Sequence, residues 1–259
     1  MFYSESHIYA HELFPLGYGY PLWCPDPTPS SREIEIGDVG RPDLNGRWLP
    51  LFNTMKPPDD QVNRHGVPSD FKMLDPQDIP VSTTPKIMQA MVCSRNIDPT
   101  DNFGSGSASL PESAVVTFKF KLPSSSSAFV LLDAPALSTY VCSAPARRRM
   151  VTYMRDNFQG WIDFVFDCNI DLEDSDIMFI CGTQKTTRWA VAAFDADQSD
   201  ECYVTSDFGQ FEYRLTINFG ALHRGRFRKA CYKCGPRYRR SDMAASPLPR
   251  PNQCLFLHY

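Results

Sequence analysis

Arg32-Glu33-Ile34-Glu35-Ile36-Gly37-Asp38-Val39-Gly40, followed by Gly46-Arg47-Trp48-Leu49-Pro50-Leu51-Phe52-Asn53, is the stretch on which a reading of the fold turns. Ile34, Ile36 and Val39 alternate against Glu33 and Glu35, the pattern of a half-buried strand. Asn45-Gly46 is a hairpin-turn signal, because both residues tolerate φ > 0. Trp48 to Phe52 then returns as a second strand. Pro50 has no N–H, so this strand belongs at a sheet edge or carries a break. The pattern is a structural signature with no catalytic group in it.

Upstream, a short helix is expected over Glu5 to Leu13, after which Pro15, Gly17, Gly19, Pro21 and Pro25 interrupt regular structure. Residues 1–31 therefore read as an ordered arm. Tyr18, Tyr20 and Trp23 anchor it to the core in one reading and form an aromatic ligand platform in another. Downstream, 54–114 is loop-rich, and Lys86 to Cys93 fits a strand or a helical turn equally.

Val116 to Leu122 alternates cleanly and Ala128 to Leu132 is apolar throughout, so the two are expected to pair as a hairpin across Ser124–Ser127. One helix follows. Ser143 is its N-cap, Pro145 sits in its first turn, and Met150, Met154, Phe158 and Trp161 mark its core-facing stripe, with Gly160 weakening the end. Further strands are expected at Ile177–Gly182, Arg188–Phe194 and Phe211–Phe219. The fold class is mainly β with one main helix (α+β), an antiparallel sandwich-like sheet domain spanning 1–259 as a single unit.

The chain has 259 residues, 42% hydrophobic and 22% charged, enough for a sizeable core, and its 22 Pro disfavour long helices. The net charge of -4 hides an asymmetry: Arg224 to Arg240 holds eight Lys/Arg and no acid. No basic, apolar leader opens the sequence, no apolar run reaches membrane-spanning length, and no Asn-x-Ser/Thr sequon is present. The nine Cys are odd in number and scattered, as reduced core cysteines are. A cytoplasmic location is expected, with the nucleus as the alternative.

Four constellations bear on chemistry. Gly182-Thr183-Gln184-Lys185-Thr186-Thr187 has some phosphate-loop residues, but Gln184 replaces the Gly needed before Lys185 and a strand follows instead of a helix. A β-turn is the expectation there. The acidic runs Asp167–Asp176 and Asp195–Glu201 lack the spacing of an EF-hand and read as solvated turns. The five His (7, 11, 65, 223, 258) have no recognisable nucleophile context. Cys231-Tyr232-Lys233-Cys234 with Cys254 and His258 offers three thiolates and an imidazole, which would complete a tetrahedral zinc site. Reduced, unligated thiols are the expectation, and with them no cofactor.

Several stretches together resemble a large multi-copy family of uncharacterised proteins of mushroom-forming (basidiomycete) fungi. They are Leu13-Phe14-Pro15-Leu16, Gly19-Tyr20-Pro21-Leu22-Trp23, Ile36-Gly37-Asp38-Val39-Gly40, Leu51-Phe52-Asn53, Gly66-Val67-Pro68, Gly182–Thr186 with Trp189, and Gln253–Tyr259. The resemblance carries no established activity. It implies a domain that stands alone or leads longer chains, as recognition or signalling modules do. The basic 223–240 segment and the stop at Tyr259 depart from it.

The leading expectation is a non-enzymatic intracellular protein-recognition or signalling-adaptor module. The second is a nucleic-acid-associated protein using Arg224, Arg226, Arg228, Lys229, Lys233, Arg237, Arg239 and Arg240, whose charges would release counterions from phosphates. A hydrolase is third. Trp48, Phe118, Phe120, Trp161 and Trp189 are expected to be buried in one core. Residues 252–258 are expected to return as a terminal strand, and 223–251 to form an exposed basic excursion.

Overall fold

The computed structural model describes residues 4–27, 32–99, 115–122, 125–170, 177–196, 200–208, 213–219, 227–236 and 250–259. The helices are α1 (Glu5–Leu13) and α2 (Ala144–Asp167). The strands are β1 (Tyr20–Pro21), β2 (Asp38–Pro42), β3 (Trp48–Asn53), β4 (Val81–Ile87), β5 (Met91–Cys93), β6 (Asp98–Pro99), β7 (Val115–Leu122) and β8 (Ser126–Leu132). They continue with β9 (Ala136–Val141), β10 (Met178–Phe179), β11 (Gly182–Thr186), β12 (Trp189–Ala196), β13 (Asp200–Phe208), β14 (Tyr213–Phe219), β15 (Phe227–Gly235) and β16 (Gln253–His258). Antiparallel pairing builds four sheets, in the orders β1-β16-β11-β9-β4, β10-β2-β3, β15-β12-β8-β5 and β14-β13-β7-β6. The protein is mainly β with one main helix and a short N-terminal one, an α+β sandwich-like fold.

The hairpin read from residues 33–53 is present with a shifted first strand. Residues 32–35 are irregular, Ile36-Gly37 turn at a Gly37 φ of 90°, and β2 begins only at Asp38. The apolar alternation of Ile34 and Ile36 thus belongs to a lead-in that packs its isoleucines without a ladder. Pro50 is accommodated twice over: β3 lies at the edge of its sheet, and the register shifts between Val39 and Gly40.

The turn glycine has no room for a side chain. Gly46 adopts φ 70°, and a Cβ there would lie 2.5 Å from Cβ of Trp23 and 2.9 Å from Cβ of Ser6. Gly46→Ala should therefore lower the unfolding free energy by about 2–5 kcal/mol, from backbone strain and overpacking together. Urea denaturation checks this, and a change below about 0.5 kcal/mol would show that the arm yields to the new methyl group.

Three expectations about pairing are corrected. β7 and β8 do not form a hairpin: β7 pairs with β13 and β6, and β8 with β12 and β5. A strand buried on both faces, as Ala128 to Leu132 is, is paired on both edges by other strands of its own sheet. The strand expected over Ile177–Gly182 splits into β10 and β11, which serve different sheets. The turn expected at Gly182–Thr187 is largely strand, because β11 lies inside the five-stranded sheet with Thr183, Gln184 and Thr186 buried.

The basic excursion is corrected in part as well. Residues 227–235 are a strand paired with β12 along its length, Trp189 opposite Gly235 and Asp195 opposite Lys229. Its charges do not prevent this: Lys233 is half-buried with its Nζ over the Trp23 ring, and the backbone of the strand is bonded to β12. The end of the chain returns as β16, hydrogen-bonded to both β1 and β11.

Helix α2 is capped as its sequence indicates, with the Ser143 hydroxyl accepting from the N–H of Ala146 at 3.2 Å. It runs past Gly160, where a Cβ would meet the Asp70 carboxylate at 2.6 Å, so that glycine marks a close approach and not an end. Met150 and Trp161 are buried, but Met154 is exposed.

Trp48, Trp161 and Trp189 are buried in three separate clusters, not one core. Phe118 and Phe120 fall on β7, and their side chains lie outside the described residues. In the first cluster α1 lays Ile8, Tyr9 and Leu13 against Ala128, Val130, Val191 and Leu255. Among the described residues no helix is long and apolar enough to cross a membrane.

Candidate functional site

The site grows out of the Arg32–Gly40 stretch. Asp38 opens β2 directly opposite Asn53 of β3, and its carboxylate is fully buried. It accepts both guanidinium arms of Arg32, one of them 3.0 Å from Oδ2, together with the N–H of Glu35 at 2.9 Å and Nδ2 of Asn53 at 2.6 Å. Burial pushes the Asp38 carboxyl above its usual range, against the pull of Arg32 and the donors at Glu35 and Asn53. Asn63 extends the network: its Oδ1 accepts from the N–H of Asn53 at 2.7 Å, and its amide donates to the carbonyls of Asn53, Lys56 and Pro57.

These bonds fix Arg32 at the rim of a shallow cleft. The cleft is lined by Cys24, Pro25, Asp26 and Pro27 from the arm, by Arg32, Glu33 and Ile34, by Arg47 and Trp48, and by Asn252 and Cys254. Main-chain bonds hold the pieces together. The N–H of Cys24 donates to Gly46 at 3.0 Å, and that of Cys254 to Pro25 at 3.1 Å.

The charged groups of the rim are also held. Asp26 accepts the indole N–H of Trp189 at 3.1 Å, and Glu33 pairs with Lys185 at 3.0 Å. Arg47 is exposed, with no ion pair among the described residues. Trp48 lines the cleft, and its buried indole N–H has no acceptor among the described residues. Beside the cleft, Nζ of Lys233 donates to Sγ of Cys24 at 3.1 Å and stands 5.1 Å over the Trp23 ring.

The zinc candidates are not brought together. Cys231 and Cys234 lie three residues apart on β15, and successive strand side chains alternate, so the two thiols point to opposite faces. Cys254 is buried in another sheet, its thiol pushed up to about 12 by burial. His258 receives an N–H from Gln184 at 3.2 Å, and burial lowers its pKa. Among the described residues no three or more His, Cys, Asp or Glu side chains converge as metal ligands.

Of the basic residues, Arg228, Lys229 and Lys233 fall on β15, the edge strand of its sheet. Arg224, Arg226, Arg237, Arg239 and Arg240 lie outside the described residues. Most of the two acidic runs lies outside them too.

The histidines are dispersed. His7 and His11 stack along α1, His65 accepts from Arg64, His258 is on β16, and His223 is outside the described residues. The aromatic arm anchors as one of its two readings held: Trp23 is buried against Tyr9, and Tyr18 packs on Phe256.

Sequence reasoning missed the cleft because its lining comes from four separate stretches. The one local signal was Asp38 within Gly37-Asp38-Val39-Gly40, an acid where a buried strand begins. Comparison of the chain with protein-family models, with characterised proteins and with solved structures finds no match.

Proposed function

We propose that the chain is a non-enzymatic intracellular protein-recognition module, and that the cleft beside Arg32 takes a short acidic peptide segment. The observation that carries this reading is the exposed Arg47 guanidinium, which lines the cleft and has no ion pair among the described residues. A carboxylate of the segment would pair with this guanidinium through charge-assisted hydrogen bonds. Arg32, Asp26 and Glu33 are already held by intramolecular bonds, so binding would freeze few side chains, a term that otherwise weakens association. Ile34, Pro25 and Pro27 give the segment apolar contact. The resemblance to fungal proteins whose domain stands alone or leads longer chains belongs to the same reading.

Fluorescence anisotropy with labelled acidic and basic peptides tests it. Acidic peptides should bind in preference to basic ones, and Arg47→Glu should weaken them about tenfold, ~1.4 kcal/mol. Equal affinity of acidic and basic peptides, or binding indifferent to Arg47→Glu, would overturn the reading.

A second reading, nucleic-acid association, is favoured by the place of Arg228 and Lys229 on a sheet-edge strand. Retention on immobilised nucleic acid, falling steeply with salt, would support it.

A further inference from the structure

The contact between Cys24 and Lys233 joins residues 209 apart in sequence and places an amine nitrogen 3.1 Å from a sulfur. We propose that this pair is an oxidative modification site, in which a hydroperoxide converts Cys24 and Lys233 into a sulfenamide cross-link. Three features set the pair up. Cys24 lines the cleft, so a small peroxide reaches its sulfur from solvent. Its backbone is pinned by the bond from its N–H to Gly46. Lys233 is held by the face of Trp23, so the reacting atoms meet without further ordering of a long side chain.

The chemistry balances in two steps. The sulfur attacks the peroxide, the O–O bond breaks, and Cys24 becomes a sulfenic acid while the peroxide leaves as an alcohol or, from hydrogen peroxide, as water. The Lys233 nitrogen, after losing a proton to solvent, then attacks the sulfur. The S–O bond breaks as the S–N bond forms, and hydroxide leaves as water with the second nitrogen proton. Sulfur is oxidised by two electrons, the peroxide oxygen is reduced by two, and the linked chain is lighter by two hydrogens. Sulfenic acids are known to condense with nitrogen in this way, reversibly.

Other thiols differ. Burial raises the pKa of Cys93, Cys181 and Cys254, which keeps them as thiols and slow toward peroxide. Cys142 directs its S–H to the carbonyl of Pro80, as Cys24 does to that of Asn45, but among the described residues no lysine nitrogen stands on its sulfur.

The experiment treats the full chain with hydrogen peroxide and follows it by intact mass and peptide mapping. The expected product has lost two hydrogens, joins the peptide containing Cys24 to that containing Lys233, and reverts with dithiothreitol. Cys24→Ser should abolish the link. Lys233→Arg, which keeps the charge over Trp23, should divert Cys24 to sulfinic acid. Recovery of Cys24 as sulfinic acid in the unsubstituted chain, with Lys233 still open to amine reagents, would overturn the proposal. So would a link that carries an additional oxygen atom.

Discussion

A chain ending at Pro251 is expected not to fold. The missing strand is β16, which lies inside the five-stranded sheet with β1 on one side and β11 on the other. Cys254, Leu255, Phe256 and Leu257 are each no more than 1% exposed. The register shifts between Gln184 and Lys185, leaving Leu255 as an extra residue in the ladder. That bulge explains why Leu255 and Phe256 enter one hydrophobic cluster while Cys254 and Leu257 enter another. The strand is thus buried on both faces and paired on both edges.

Truncating one such Leu or Phe side chain to Ala costs about 2–5 kcal/mol. Losing three together is comparable with the ~5–15 kcal/mol that holds a whole domain, and the exposed edge of β11 would add an aggregation risk. Circular dichroism of the truncated chain should show no cooperative melt. Phe256→Ala, a milder change, should cost about 3–5 kcal/mol in urea denaturation. A cooperative melt of the truncated chain at the full-length temperature would refute this account of β16.

What the sequence made legible was local. Period-two alternation located β7, the Asn45-Gly46 turn signal located the start of β3, the continuous apolar run located β8, and Ser143 with Pro145 located the start of α2. Each of these depends on neighbours within a few residues.

What it hid depends on partners far along the chain. The alternation of Val116–Leu122 shows that a strand is there but not that β13, some eighty residues on, is its neighbour. Gly182–Thr187 looked like a turn because its residues are polar. Those groups reach distant partners: the Gln184 amide donates to the Tyr18 carbonyl and, just past the strand, the Thr187 hydroxyl donates to Asp133. Cys-x-x-Cys looked like a metal knuckle because spacing alone does not reveal the backbone conformation, and on a strand the same spacing separates the two thiols. The charges of β15 suggested an excursion because the partner that anchors it, β12, lies some forty residues earlier.

Removing that strand would strip β12 of one neighbour, so deleting 227–235 cannot be as cheap as its charges suggest.

The same dependence on partners sets the second large effect. Asp38→Ala is expected to lower stability by about 3–5 kcal/mol, the range for breaking a buried ion pair from one side. The substitution leaves the Arg32 guanidinium, the Glu35 N–H and Nδ2 of Asn53 without the oxygens they now share, in a region where Asn53 and Asn63 are themselves buried. Arg32→Met breaks the pair from the other side and adds a pH signature. Without the guanidinium, the buried Asp38 carboxyl is pushed further above its usual range and stays protonated in the folded state. In the unfolded chain it ionises at its ordinary value. From that value upward the unfolded state binds fewer protons than the folded one, so the stability of Arg32→Met should fall as pH rises above about 4. The unsubstituted chain should show a weaker dependence over the same window, because Arg32 supports the ionised form. The double variant Arg32→Met with Asp38→Leu removes both charges together, and should recover much of what either single change loses. Urea denaturation at acidic and neutral pH measures all three. If Asp38→Ala cost under about 1 kcal/mol, the pair would be behaving as a surface salt bridge, and the network could not be what holds Arg32 at the cleft.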